Sequence, residues 1–281
     1  MNPSAVPPTP APSLFDLPDF EREAKSHLSE MAWSYISGAA ADEITLRWNN
    51  ESYQRLRLKP RALVDVSQLD TRVTLLGRDR PFPILLAPTA YHQLFHPEGE
   101  LATARGAGAA DATMLLSSSS TTTIEDVAKV ATKPLWFQLY VQRDRDFTAN
   151  LVRRAEAAGC EALVVTVDTP VLGPRYRELR TKFTLPPGVE RANLRGLPGA
   201  TGSHRPTERD IYSVILDPKV TWKEIEWLRT LTKMRVLLPG ILNPADADRA
   251  AKMGIAGIVV SNHGERNLDT VPATIDILPE V

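Results

Sequence analysis

Six short, continuous apolar runs set the limits on how this chain can fold: residues 83–87, 113–117, 135–139, 162–167, 235–238 and 257–261. Runs of this length without polar alternation suit strands covered on both faces, as in a parallel sheet. Between most of them lie Ala-rich amphipathic stretches, at 98–110, 124–130, 147–158 and 244–253. The first four run starts are 30, 22 and 27 residues apart, the length of one β/α unit. Alternating strand and helix predicts right-handed crossovers and an α/β fold, a (β/α)8 barrel. Six strands are legible where a closed barrel has eight, and strands seven and eight are expected to be absent from this chain. The step from 162 to 235 is too long by roughly two units. Within it, 186–206 is rich in Gly, Pro, Arg and Ser without periodicity, and is read as a long mobile loop.

A chain of 281 residues suits one such domain. Ahead of it, Phe20, Ala24, Leu28, Met31, Ala32 and Tyr35 recur at helical spacing across 17–36. Residues 1–18 carry six prolines with neither a basic start nor an apolar run, so a disordered arm is expected there, with 19–281 as the barrel domain. No stretch approaches the roughly 20 apolar residues of a membrane span. Cys160 is the only cysteine, which excludes an intrachain disulfide and fits a reducing, cytoplasmic setting; its apolar neighbours assign it to packing. Basic and acidic residues nearly cancel, 33 against 34, so no basic field points to nucleic acid. A metal site is not expected, for there is no CxxC, no HExxH and no clustered ligand set. Walker and GxGxxG loops are absent too, which leaves small molecules as the expected partners.

In a barrel the chemistry belongs at the C-terminal strand ends, where the loops converge on one mouth. Five of the six ends are polar, with Thr89, Ser117, Gln138 and Tyr140, Thr166 and Asp168, and Asn262 and His263; the fifth end reads Pro239-Gly240. A lone histidine is more often a satisfied core residue. At a strand end, followed by Gly264 and with Arg266 three residues on, His263 is better read as a general base. Asp168 either caps its loop or, facing His263, fixes the imidazole tautomer. Arg175 and Arg266 are either surface arginines or, with Tyr35 and Tyr140, a clamp for a small carboxylate. The hydroxyl run 117–123 is either a linker or a polar loop against a ligand. His96 is assigned to helix capping.

The motifs at these ends are Leu86-Ala87-Pro88-Thr89-Ala90, His96-Pro97-Glu98-Gly99-Glu100, Phe137-Gln138-Leu139-Tyr140, Thr166-Val167-Asp168-Thr169-Pro170 and Ser261-Asn262-His263-Gly264 with Arg266, Leu268 and Asp269. As an ordered, specific set from about Phe20 to Val281, they resemble the FMN-dependent 2-hydroxy-acid oxidases and dehydrogenases, the family of glycolate oxidase, lactate oxidase and mandelate dehydrogenase. The resemblance implies oxidation of a small (S)-2-hydroxy acid to the 2-oxo acid. His263 would take the hydroxyl proton while hydride passes to the flavin, or take the C2 proton in a carbanion account, and Asp168 would pair with it. It implies a carboxylate held by Arg175, Arg266, Tyr35 and Tyr140, and FMN contacts from Ala90, Ser117, Gln138 and Thr166. Oxygen or another acceptor would reoxidise the flavin, the chain would form a homo-oligomer, a tetramer, and 186–206 would be the family's variable lid. Ser119 stands where many relatives carry a bulky aromatic, which implies room for a substrate larger than glycolate.

Two departures accompany the resemblance. Where the family places a lysine beside the flavin at the end of strand five, this chain has Pro239, with neither charge nor donor. By analogy with removing one preorganised donor, that is worth roughly 3 kcal/mol, about a hundredfold in rate. The family's phosphate-binding turns on strands seven and eight do not precede Val281, so weak FMN binding is expected of this chain. An impaired or inactive barrel fragment serving as a structural or interaction module is the alternative. Against it stands the retention of His263, Asp168, Arg175, Arg266, Tyr35 and Tyr140 together.

Overall fold

A computed structural model of the chain describes residues 14–200 and 211–281. Three helices come first: α1 (Leu17–His27), α2 (Glu30–Ser37) and α3 (Ile44–Arg55). The single helix expected across 17–36 is therefore two. Leu28 leaves the helical region, and the Ser29 hydroxyl starts α2 by accepting from the Ala32 amide. The arm expected over 1–18 lies outside the described residues as far as residue 13, and α1 begins at Leu17. A hairpin follows, β1 (Val73–Leu75) against β2 (Arg78–Arg80), turned by Leu76 and Gly77, both at positive φ.

All six apolar runs are strands of one parallel sheet in chain order: β3 (Leu85–Leu86), β4 (Thr113–Ser117), β5 (Trp136–Leu139), β6 (Ala162–Val165), β7 (Arg235–Ile241) and β8 (Gly257–Val260). The connections carry α4 (Gly99–Ala109), α5 (Ile124–Val130), α6 (Arg145–Ala157), α7 (Tyr176–Arg180), α8 (Trp222–Leu231) and α9 (Pro244–Lys252), with α10 (Thr274–Ile277) after β8. The sheet is six strands of a β/α barrel, and β3 and β8 are its two edges.

Strand side chains alternate between two clusters. Met114, Leu116, Phe137, Leu163, Val165, Val236 and Leu238 pack with Ile124, Leu151, Val152, Leu228 and Ala250 of the helices. Leu115, Trp136, Ala162, Val164 and Leu237 form a second cluster on the opposite, inner face, together with Leu76 and Leu85. The hairpin is fastened beneath that inner cluster. Glu161, at the start of β6, receives Arg80 at 2.5 Å, the Trp136 indole N–H at 3.1 Å, and Arg78. Cys160 is buried in the outer cluster, and burial pushes its thiol up to about 12, in keeping with a packing role.

Between β6 and β7 the described residues contain no further strand of the sheet; helices α7 and α8 lie there, and most of the described remainder is irregular. Of the segment read as a mobile loop, 201–206 lies outside the described residues. Before it, Ala192, Asn193 and Leu194 are buried, and Leu194, Leu197 and Ala200 belong to the outer cluster.

Candidate active site

Period-2 alternation carries the inner face upward from its apolar cluster to the mouth. In phase with Leu115 comes Ser117; with Trp136, Gln138 and Tyr140; with Ala162 and Val164, Thr166 and Asp168; with Leu237, Pro239. Ser117, Gln138, Tyr140, Thr166 and Asp168 thus converge because each lies two or four residues beyond an inward apolar side chain.

His263 is where they meet. Its Nδ1 lies 2.9 Å from Asp168 Oδ1, and its Nε2 lies 3.2 Å from the Tyr140 hydroxyl. With Nδ1–H donated to the carboxylate, Nε2 keeps its lone pair and accepts from the phenol. Burial pushes the Tyr140 phenol up, so it stays a donor. The open alternative for Asp168 is resolved in favour of facing His263. Its place depends on Gly240, at φ +104°: a Cβ there would fall 2.5 Å from the Asp168 Cβ. Asn267 Nδ2 donates to the Asp168 carbonyl at 2.5 Å, and Asn267 Oδ1 accepts from Gly173 N–H at 3.1 Å. His263, Gly264 and Glu265 all have positive φ, and the turn they make is held by Ala40 N–H on the Glu265 carbonyl at 2.9 Å and by Asn49 on the Glu265 carboxylate.

The side chains expected to hold a carboxylate are gathered beside this pair. Arg266 lies 4.7 Å from the centre of the Tyr35 ring and donates through Nη1 to the carbonyls of Tyr35, at 2.6 Å, and Gly38, at 2.8 Å. Tyr35 also stacks on Phe183 at 4.6 Å between ring centres. Arg175 Nε and Arg266 Nη2 share one carboxylate oxygen of Glu178, at 2.5 and 3.3 Å. Sequence reasoning missed Glu178, Gly240 and Asn267. Only Gly240, directly after a proline inside an apolar run, carried a local signal.

The third group forms a polar edge across the strand ends. Ser117 Oγ donates to Gln138 Oε1 at 3.2 Å, and Gln138 Nε2 donates to Thr166 Oγ1 at 2.9 Å. Ala90 lies in the loop after β3, which is tied to the serine loop by Tyr91 N–H on the Ser119 carbonyl at 3.3 Å. Glu100, fully buried, fixes the hydroxyl run: it accepts from Thr121 N–H at 2.8 Å, Thr121 Oγ1 at 2.6 Å and Thr122 Oγ1 at 3.0 Å, and from His92 N–H at 3.1 Å. Burial raises the Glu100 carboxyl, but the Thr121 and His92 bonds outweigh it and leave it below the usual carboxylate range. Asn193 joins the segment after Arg191 to the same loop through Ser120 Oγ at 2.8 Å. His96 Nδ1 accepts from Glu98 N–H at 3.2 Å, but Glu98 is itself the N-cap of α4 and the helix has no side-chain cap, so the capping role expected of His96 is not found. A row of exchangeable amide and hydroxyl groups fits the donor and acceptor edge of a flavin ring. Pro239 sits at a register shift in β7, where its missing N–H is tolerated, and its carbonyl accepts from Val167 N–H at 3.2 Å. Lys233 is exposed at the opposite end of that strand.

A profile of the FMN-dependent dehydrogenases matches residues 24–281. The chain belongs to that family. Similar family members include an L-lactate oxidase of Nostoc sp., 46% identical over 276 residues, covering 96% of this chain and 76% of the relative. A peroxisomal (S)-2-hydroxy-acid oxidase of Oryza sativa is 48% identical over 267 residues, covering 94% and 72%. Among solved structures, mandelate oxidase with (S)-4-hydroxymandelic acid superposes with a TM-score of 0.87 at 39% identity, covering 94% of this chain and 74% of that one. The chain therefore spans about three-quarters of the length of these family members.

Proposed function

We propose that the chain oxidises a small (S)-2-hydroxy acid to the 2-oxo acid with FMN. One observation carries the reading: His263 has Nδ1 on the Asp168 carboxylate and Nε2 on the Tyr140 hydroxyl, and Arg175 and Arg266 share the nearby Glu178. Arg175 and Arg266 bind the substrate carboxylate, with Tyr35 and Tyr140 completing its surroundings. That anchoring draws the Tyr140 hydroxyl from His263 Nε2 to the carboxylate and leaves the Nε2 lone pair to the 2-hydroxyl, whose proton it takes, and Asp168 stabilises the imidazolium that results. Ala90, Ser117, Gln138 and Thr166 hold the flavin ring. Bound FMN supplies the two-electron acceptor for the substrate C2–H.

The test is anaerobic mixing of the chain, FMN and a 2-hydroxy acid, followed by the visible flavin absorbance. Bleaching is expected, slowed about 10²–10⁴-fold in His263→Ala. Equal bleaching by the variant would end the assignment of His263 as base.

The finer points rest on separate supports. Oxygen serves as reoxidant in the reading drawn from the oxidase relatives. A homo-oligomer accords with exposed Leu58, Leu63 and Leu69. A cytoplasmic location accords with the lone buried Cys160, whereas a peroxisomal one is named for the rice relative. Among the described residues, no helix is long and apolar enough to cross a membrane. The family's variable lid is read onto 186–206, and in its described part, 186–200, Asn193 is tied to the serine loop.

A further inference from the structure

The floor of the barrel, at the opposite end of the sheet from His263, gathers more positive charge than the side chains around it match. Arg78 and Arg80 lie two residues apart on β2, so both leave the same face of the hairpin, and both reach the one carboxylate of Glu161 at the start of β6. Arg235 opens β7 in phase with the inward Leu237, and it pairs in register with Ala162, the neighbour of Glu161. Its guanidinium lies against the hairpin turn: a Cβ on Gly77 would fall 3.6 Å from Arg235 Nη2. Other charges at this end are engaged elsewhere. Asp79 is on the other face of β2 and accepts from Thr74 Oγ1 at 2.7 Å, and Asp70 pairs with Arg72 at 2.8 Å. Glu156 and Lys233, opposite in charge, are joined by the Lys233 N–H on the Glu156 carboxylate at 2.8 Å. Three guanidiniums therefore stand around one carboxylate.

Their donors also outnumber the acceptors. Glu161 Oε2 already serves Arg80 Nη2 and the Trp136 indole. Among the described residues Arg80 Nε has no hydrogen-bond partner, although the residue is only 8% exposed, and Arg235 makes no ion pair. A buried guanidinium N–H without an acceptor is costly. Arg78 and Arg235 are exposed, so the cluster opens to solvent on their side. We propose that this floor is an anion site, separate from the mouth, in which Arg78, Arg80 and Arg235 take a small doubly charged oxyanion of the phosphate type. Guanidinium forks match such an ion, whose several oxygens can accept from more than one arginine at once. The bound ion supplies the missing counter-charge and fastens the hairpin to the starts of β6 and β7. Its role is to hold the floor closed, and no step of the oxidation passes through it.

The experiment titrates the chain with inorganic phosphate by calorimetry near neutral pH, with chloride holding the ionic strength constant, and follows Tm over the same concentrations. Saturable binding is expected with a Kd on the order of 1 mM or tighter, together with a rise in Tm that follows the same saturation. Arg235→Gln removes an exposed side chain that holds nothing else in place, so the fold is expected to survive it. It should weaken phosphate about tenfold, the size of one charge-assisted hydrogen bond, and reduce the rise in Tm accordingly. Arg175→Gln, at the mouth, should leave the phosphate affinity as it is. Absence of saturable binding to the unsubstituted chain overturns the proposal, and so does an Arg235→Gln chain that binds phosphate as tightly as the parent. Loss of binding in Arg175→Gln with retention in Arg235→Gln places the ion at the mouth and overturns it equally.

Discussion

At the scale of single residues, Pro239 and Gly240 stand side by side with opposite demands on them. Gly240 has to lack a side chain, since Asp168 occupies the space where its Cβ would be. Pro239 ends the inward row of β7 and brings no charge to the polar edge formed by Ser117, Gln138 and Thr166. Replacing it by lysine puts a cation at the level of that edge. Pro239→Lys is expected to raise the rate of flavin reduction by a 2-hydroxy acid by up to about a hundredfold. Rapid-mixing measurement on FMN-loaded protein decides this, and an unchanged rate with FMN bound to both forms would show that position 239 does not face the flavin. The residue-level legibility of the site followed from the same geometry. Asp168 and Tyr140 could be placed from sequence because each lies four residues beyond an inward strand residue, and His263 because it stands at the end of the last apolar run. Glu178 could not, since it lies in the five-residue helix α7, far along the chain from Arg266, and no periodicity reports a contact of that kind.

At the scale of elements, the loop after β4 is held by the first turn of α4. Glu100 takes bonds from Thr121, Thr122 and His92, so one carboxylate sets the path of two loops at the mouth. Its folded-state value lies below the unfolded one, which is near about 4.3. Its contribution to stability is therefore present above the unfolded value and is lost as pH falls through the folded one. Glu100→Gln should cost about 1–3 kcal/mol near neutrality, and the difference in Tm from the parent should narrow as the pH is lowered. A difference independent of pH would mean that charge at Glu100 is irrelevant to the loop. The six strands were legible because their apolar runs are continuous. The hairpin was not, since Val73–Leu75 and Arg78–Arg80 are three residues each and one of them is wholly charged. Helix α8 had a readable start, the Thr221 and Glu224 capping box, but no long apolar run to draw attention to it.

At the scale of the whole molecule, the inner face of the sheet changes character along its own length. At its lower end Trp136, Leu237 and Leu76 are packed over the ion pairs of Glu161 with Arg78 and Arg80; at its upper end stand Gln138, Thr166 and Asp168. Trp136 and Gln138 are two residues apart on β5, about 6.6 Å of strand. Stability and chemistry are thus divided within a single strand. Variation can accumulate at one end without being felt at the other: a library at Trp136 should sort by melting temperature, and a library at Gln138 by affinity for the flavin. A chain built this way has room to change its substrate while its foundation is left alone.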